Sequence, residues 1–201
     1  MAHPKFADRD FLDAALAVAA EHGAPAVTVG AITERLRAPV GSFYHRFPSR
    51  DALLGELWLR TVLDFQQGIM AALEAGDGLA ASLHTPAWVR THLDEARLLL
   101  LYHRDDFLQG GWPAALQDGV AAQTARMEAG FARFAGLVFG RAGQDEIRRA
   151  QFLLVELPVG VVRQHLQRRE KPPPIVDELI RITYLAVVED YRAKHDSAAR
   201  D

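Results

Sequence analysis

Apolar residues recur along this chain at intervals of three and four, the spacing of one helix face, and strand-like alternation bounded by turn pairs is scarce. Phe11, Leu12, Ala15, Leu16 and Ala19 make the first stripe, and Gly23 provides its stop. Thr28 opens a short second helix, where its hydroxyl can cap a free N–H, and Val29, Ile32 and Leu36 line one side of it. A turn at Arg37-Ala38 follows, and Pro39 suits the first position of a third short helix. Ser49 caps a longer fourth helix whose stripe is Leu53, Leu57, Val62, Phe65, Ile69 and Leu73, ending near Gly76 and Gly78.

The remainder continues in the same period. Thr85-Pro86 predicts the start of a helix, and Asp94 the cap of the next, with Leu98 to Tyr102 as its apolar body. A loop from Asp105 to Trp112 holds Gly110-Gly111. Pro113 then opens a long helix carrying Met127, Phe131, Phe134 and Leu137 and ending near Gly140. The next helix runs from Glu146 to about Arg169, with a bend expected at Pro158 because proline removes one helix hydrogen bond. A stiff linker, Pro172-Pro173-Pro174, precedes a last helix with Ile175, Leu179, Ile182, Leu185 and Val188. The fold class is all-α, with about nine helices.

One stretch does not fit a plain core or a plain surface. PVGSFYHRFPSRDALL, residues 39–54, places Phe43, Tyr44 and Phe47 around His45 and Arg46. On a helix at about 100° per residue, Phe43 and Phe47 share a buried face, while Gly41 and His45 point away with Ser42 and Tyr44 beside them. A hydroxyl, a phenol and an imidazole can meet phosphates and base edges, and a glycine allows close approach of the helix backbone. Two short helices with the second presented outward form a helix-turn-helix. A helical hairpin with a merely solvated polar face has the same periodicity, and the pattern alone leaves both open.

Charge changes the picture locally. The 201-residue chain has a formal net charge of −3, which argues mildly against nucleic acid if evenly spread. Yet Arg35, Arg37, Arg46 and Arg50 occur with no acidic residue among them, and such a patch can hold DNA on an acidic protein. The chain has no cysteine, which excludes disulfides and thiolate chemistry and fits a reducing cytoplasm. The first apolar run lacks the basic flank and length of an export signal, and no stretch approaches the roughly 20 apolar residues that span a bilayer. A cytoplasmic protein with no membrane partner is expected.

Residues 11–54 resemble the DNA-binding domain of the TetR/AcrR family of one-component transcriptional regulators. The likeness is carried by the Ala-rich first helix ending in Glu21-His22-Gly23, by Thr28-Val29 with Ile32, and above all by the string Gly41 to Arg50. The resemblance implies a DNA-binding domain over residues 1–50 and a ligand-binding and dimerisation domain over 51–201. By matching position it implies DNA contacts at Thr28, Val40, Gly41, Ser42, Tyr44, His45 and Arg50, with Tyr44 and Arg50 on phosphates and Ser42 and His45 nearest to base edges. Arg46 ranks below these, because it can equally pair with Glu34 or with an acid on the first helix. Three departures stand out. Arg37 occupies a turn position where the family usually has glycine, at roughly 1–2 kcal/mol if φ is positive. Gly30 and Val40 stand where polar or basic residues are frequent, which implies fewer phosphate contacts and less salt-sensitive binding.

Beyond the motif the residues say less. Phe65, Trp88, Tyr102, Phe107, Trp112, Met127 and Phe131, with Phe134, come from separate helices around a common centre. Alone they describe an ordinary core; the resemblance makes them the lining of an effector cavity for a small, mostly apolar or aromatic molecule. Apolar stripes at Leu153, Leu157 and Val161 and on the last helix either close the monomer core or, as the resemblance implies, pair with their twofold copies in a homodimer, whose two recognition helices reach successive major grooves. His92, His103, Asp94, Asp105 and Asp106 lack the spacing of a compact metal site. No nucleophile elbow, phosphate-cradling loop or zinc motif occurs, so neither cofactor nor catalysis is expected. The expected function is a ligand-responsive repressor released from a palindromic duplex operator. The alternatives are a helical ligand- or partner-binding protein without DNA recognition, and an all-α enzyme.

Overall fold

The computed structural model describes residues 6–101 and 112–198. Those residues form nine α-helices and no strand: α1 (Asp8–His22), α2 (Val29–Leu36), α3 (Val40–Tyr44), α4 (Arg50–Glu74), α5 (Gly78–Thr91), α6 (Leu93–Leu101), α7 (Gln117–Phe139), α8 and α9 (Ile175–Ala198). Helix α8 begins as Gln144–Gln151, passes through a π-helical turn at Phe152–Glu156 and continues as Leu157–Gln167. Short 3₁₀ turns at Ala24–Ala26 and Ala114–Leu116 precede α2 and α7.

The expected signals act as predicted at the N-terminus. Gly23 ends α1 with φ 85°, the Thr28 hydroxyl accepts from the Ala31 N–H at 3.1 Å, and Ser49 caps α4 through the Ala52 N–H at 3.0 Å. Arg37 adopts the left-handed conformation, φ 52° and ψ 40°. Its N–H reaches the Glu34 carbonyl, and the Ala38 N–H reaches the Thr33 carbonyl at 2.9 Å, so the last turn of α2 is closed.

Elsewhere proline misleads. Pro86 does not start a helix; it lies inside α5, which starts eight residues earlier behind Asp77, whose carboxylate accepts from the Ala80 N–H at 2.8 Å. The carbonyl that Pro86 leaves without an N–H belongs to Ser82, and packing of α5 against α8 and α9 outweighs the loss. Pro39 precedes α3 as its cap rather than opening it, and Pro113 caps the 3₁₀ turn ahead of α7. Asp94 falls in the first turn of α6, not at its cap. Pro158 ends up in continuous helix just after the π turn, a common way to absorb a disrupted hydrogen-bond ladder. The expected loop from Asp105 falls outside the described residues except for Trp112.

The helices divide into two compact units. The described residues up to Leu63 pack with those of Asp94–Ala121, and those of Asp64–Leu93 pack with those from Ala122 onwards. The first unit is centred on Phe11, Ile32, Phe43, Leu53 and Leu57, all fully buried. Rings of Phe43 and Phe47 meet Phe11 edge-on, with centroids 6.0 and 6.2 Å away. The second buries Ile69, Leu73, Phe134, Leu153, Leu154 and Ile180. There Arg90 fixes the proline linker, donating to the Pro172 carbonyl at 2.9 Å and pairing with Asp177 at 2.9 Å.

Candidate functional site

Helix α3 is only five residues long and cannot stand alone; its order comes from Phe43, with no exposed surface, and from Phe47 just after it. That anchoring turns the opposite face outward. Val40 is 50% and Tyr44 58% exposed, and Gly41 and His45 are also exposed, while Ser42 is half-buried. A side-chain carbon added at Gly41 would meet nothing within 4 Å, so no internal contact requires the glycine. Mid-helix glycine is unfavourable by roughly 0.5–1 kcal/mol against alanine, and open space outside it suits the approach of a large partner. Thr28, exposed at the start of α2, has its hydroxyl in the cap.

The arginines behave differently from one another. Arg35 is held by Glu21 through two bonds of 2.8 Å. Arg46 pairs with Asp8 at 3.1 Å, donates to the carbonyls of Phe6 and Ser42, and lies over the Phe11 ring. The expected acid on the first helix is therefore its partner. Arg50 is also turned inward: its guanidinium donates to the carbonyls of Val27 and Ala24 and pairs with Asp51 at 3.1 Å. It ties the start of α4 to the 3₁₀ turn ahead of α2. No sequence signal marked that role, because both acceptors are main-chain carbonyls more than 20 residues away.

The expected effector residues fall into separate groups. Tyr102 and Phe107 lie outside the described residues. Trp112 stacks at a tilt on Trp58, centroids 4.9 Å apart, in the first unit. Phe65 and Trp88, both buried, meet edge-on at 5.0 Å in the second, and Met127 and Phe131 are half-buried on α7. Around Phe65 and Trp88 is a polar ring that periodicity could not reveal. Trp88 Nε1 donates to Asp64 at 2.8 Å, and His92 stacks on Trp88. The His84 ring lies against Phe65 and over Gly68, where a side-chain carbon would come within 2.0 Å of it. Burial pushes the His84 imidazole below its ordinary pKa, favouring the neutral form. Its Nε2, with Gln66 Oε1 and Thr85 Oγ1, is buried without a partner. Among the described residues no three His, Asp or Glu side chains gather as a metal site, and no helix is long and apolar enough to cross a membrane. His103, Asp105 and Asp106 lie outside those residues.

A short helix mounted outward on a three-helix platform is the arrangement of a helix-turn-helix DNA-binding domain. Residues 11–57 match the bacterial regulatory proteins of the tetR family. The whole fold agrees. It resembles a protein described as a tetR family transcription regulator from Shewanella sp. PV-4 (TM-score 0.66, 16% identity, 90% of this chain and 95% of that one). It also resembles a transcriptional regulator from Rhodococcus sp. Rha1 (TM-score 0.65, 15% identity, 94% and 97%). A third likeness, at TM-score 0.52 and 18% identity, is to a tetR-family protein from Mesorhizobium loti MAFF303099, over 92% of this chain and 95% of that one. The chain matches none of the curated proteins. Residues 11–57 therefore carry a tetR-family regulatory domain, and the fold is like that of the tetR-family regulators.

Proposed function

We propose that the chain is a homodimeric repressor that leaves a palindromic duplex operator when a small effector binds. DNA contact is assigned to residues up to about 50, and effector sensing and pairing to those beyond. The observation that carries this reading is the outward face of α3: Val40, Gly41, Tyr44 and His45 are exposed together, and no internal contact requires the glycine. Tyr44 offers a phosphate donor, His45 and Ser42 offer base-edge donors or acceptors, and Val40 suits a thymine methyl.

Pairing is supported by the last helix, where Ile175, Leu179, Ile182 and Leu185 are each more than 40% exposed along one face. A contiguous apolar stripe of that kind is the mark of an interface. Effector binding is supported by Phe65 and Trp88 with the unpartnered atoms of Gln66, His84 and Thr85. Buried polar atoms are normally satisfied, so these add hydrogen-bonding capacity for a polar handle on a mostly apolar ligand. Helix α4 is continuous from Arg50 to Glu74, and a shift along it is the proposed link between effector and recognition helix. A tenfold change in operator affinity needs about 1.4 kcal/mol of differential binding.

Selection of bound duplexes from a random pool tests the DNA arm. Enriched half-sites about one helical turn apart are expected, and a pool without them rules out a palindromic operator. Effector titration with and without that operator tests the coupling, since reciprocity requires the two dissociation constants to differ by the same factor. The alternative, a ligand-binding protein without DNA recognition, is favoured by the internal engagement of Arg35, Arg46 and Arg50. The same selection decides between them.

A further inference from the structure

A protein on duplex DNA gains most of its sequence-independent affinity by neutralising phosphates with lysine or arginine. Residues 28–50 contain four arginines and no lysine. Three of the four guanidinium groups are already occupied. Arg35 is forked onto Glu21, Arg46 is held by Asp8 and two carbonyls, and Arg50 is held by two carbonyls and Asp51. Using any of them on DNA would mean breaking a contact that orders α1, α3 or the start of α4.

Arg37 is different. Its side chain is exposed, and among the described residues no ion pair or side-chain hydrogen bond engages it, not even with Glu34 one turn back. Its backbone is the reverse of loose. The N–H bonds of Arg37 and Ala38 close the end of α2 at 3.0 and 2.9 Å and hold Arg37 at φ 52°. Glycine occupies that conformation without strain, whereas a side chain is unfavourable there. Packing gives no reason for the side chain, since it touches no core. A residue kept against its own backbone preference at a binding surface is most simply explained by what it binds.

We propose that Arg37 is a phosphate anchor for duplex DNA, placed by the strained turn at the N-terminal end of the recognition helix. The inference rests on the DNA-binding reading of residues 28–50. Arg37 lies three residues before Val40, at the end of α3 opposite Tyr44 and His45. A helix in the major groove has sugar-phosphate backbone on both flanks, so contacts at its two ends can straddle the groove. The rigid turn reduces the entropy lost when the long side chain is held on a phosphate.

The test compares the wild type with Arg37→Gly and Arg37→Lys on a mixed-sequence duplex of about 30 base pairs, since a phosphate contact needs no operator. Affinity is measured over a series of salt concentrations, and thermal stability on the free proteins. Arg37→Gly should melt about 2–4 °C higher, because strain is relieved. It should nonetheless bind DNA more weakly, with a salt slope shallower by about 0.9 for each domain engaged. Arg37→Lys should keep the wild-type slope. A glycine variant with the wild-type slope would overturn the anchor while leaving the DNA-binding reading intact. A wild type with no salt-dependent affinity for the duplex would overturn both. Because the variant is expected to be more stable, weaker binding cannot be put down to unfolding.

Discussion

Residues 8–57 and the second unit treat their buried polar groups in opposite ways. Among residues 8–57, no buried side-chain oxygen or nitrogen lacks a partner, and Arg35, Arg46 and Arg50 are clipped to carboxylates and carbonyls; farther along the first unit, Trp112 Nε1 is buried without one. In the second unit Gln66, His84 and Thr85 each bury an unmatched polar atom within α4 and α5. A stretch that is satisfied by itself makes a stiff platform, and stiffness suits a short recognition helix that must be presented in one geometry. A core with spare hydrogen-bonding capacity is incomplete until something supplies the missing partners, and it is the natural place to sense a ligand.

The largest expected effect tests the platform. Phe43→Ala removes a fully buried ring that packs on Phe11 and Phe47, and should destabilise the first unit by about 3–5 kcal/mol, with DNA binding lost alongside the fold. Tyr44→Ala, next in the chain but 58% exposed, should leave the melting temperature nearly unchanged and still weaken DNA binding. Urea melts paired with binding on one duplex check both. If the two substitutions moved stability and affinity in the same proportion, the division between platform and exposed face would collapse.

A smaller effect probes the polar core of the second unit at its best-satisfied point. Glu146, 1% exposed, receives hydrogen bonds from Arg141 and from the Tyr191 hydroxyl, each at 2.9 Å. Removing the hydroxyl by Tyr191→Phe should lower stability by about 1.5–3 kcal/mol, as for a hydrogen bond to a charged group. The bond from Arg141, with that from Tyr191, outweighs burial and holds the Glu146 carboxyl below its usual pKa. A lowered folded value means its contribution is complete above the ordinary carboxylate range of about 4.3 and is lost as pH falls through the folded value. The stability gap between wild type and Glu146→Gln should therefore be constant near neutrality and narrow below about pH 4. A gap that widened in acid would reverse the assignment.

The same contrast separates what the sequence makes legible from what it does not. Caps, stops and turns in residues 8–57 act over three to five residues, so Gly23, Thr28, Arg37 and Ser49 were legible one by one. The face of α3 was legible because Phe43 and Phe47 leave its other positions no alternative but solvent. In the second unit the informative pairs are remote: Asp64 with Trp88, His84 over Gly68, and Arg90 on Pro172, 82 residues away. Periodicity marks such residues as helical and says nothing of their partners. Pro86 was misread for a related reason, since the packing of α5 against α8 and α9 overrides a local signal that elsewhere ends helices. Arg50 shows a partner that its position did not indicate. Its position suggested a phosphate contact, while its guanidinium serves the carbonyls of Ala24 and Val27.

The smallest effect sharpens the comparison most, because stability and function should move in opposite directions. Gly41 lies in α3 with no atom within 4 Å of the place a methyl group would occupy. Alanine there should fit without a clash and raise stability by about 0.5–1 kcal/mol, by restricting the unfolded chain and favouring helix. If the glycine serves the fold, that substitution should be neutral or favourable for every property of the protein. If it serves close approach to DNA, the added methyl group meets the duplex, and affinity should fall although the free protein is more stable. Binding of Gly41→Ala to the selected operator and to a mixed-sequence duplex separates the two cases. Equal affinity on both, with higher stability, would remove Gly41 from the interface. A loss on both duplexes would place the methyl group against the backbone, and a loss confined to the operator would place it against the base edges.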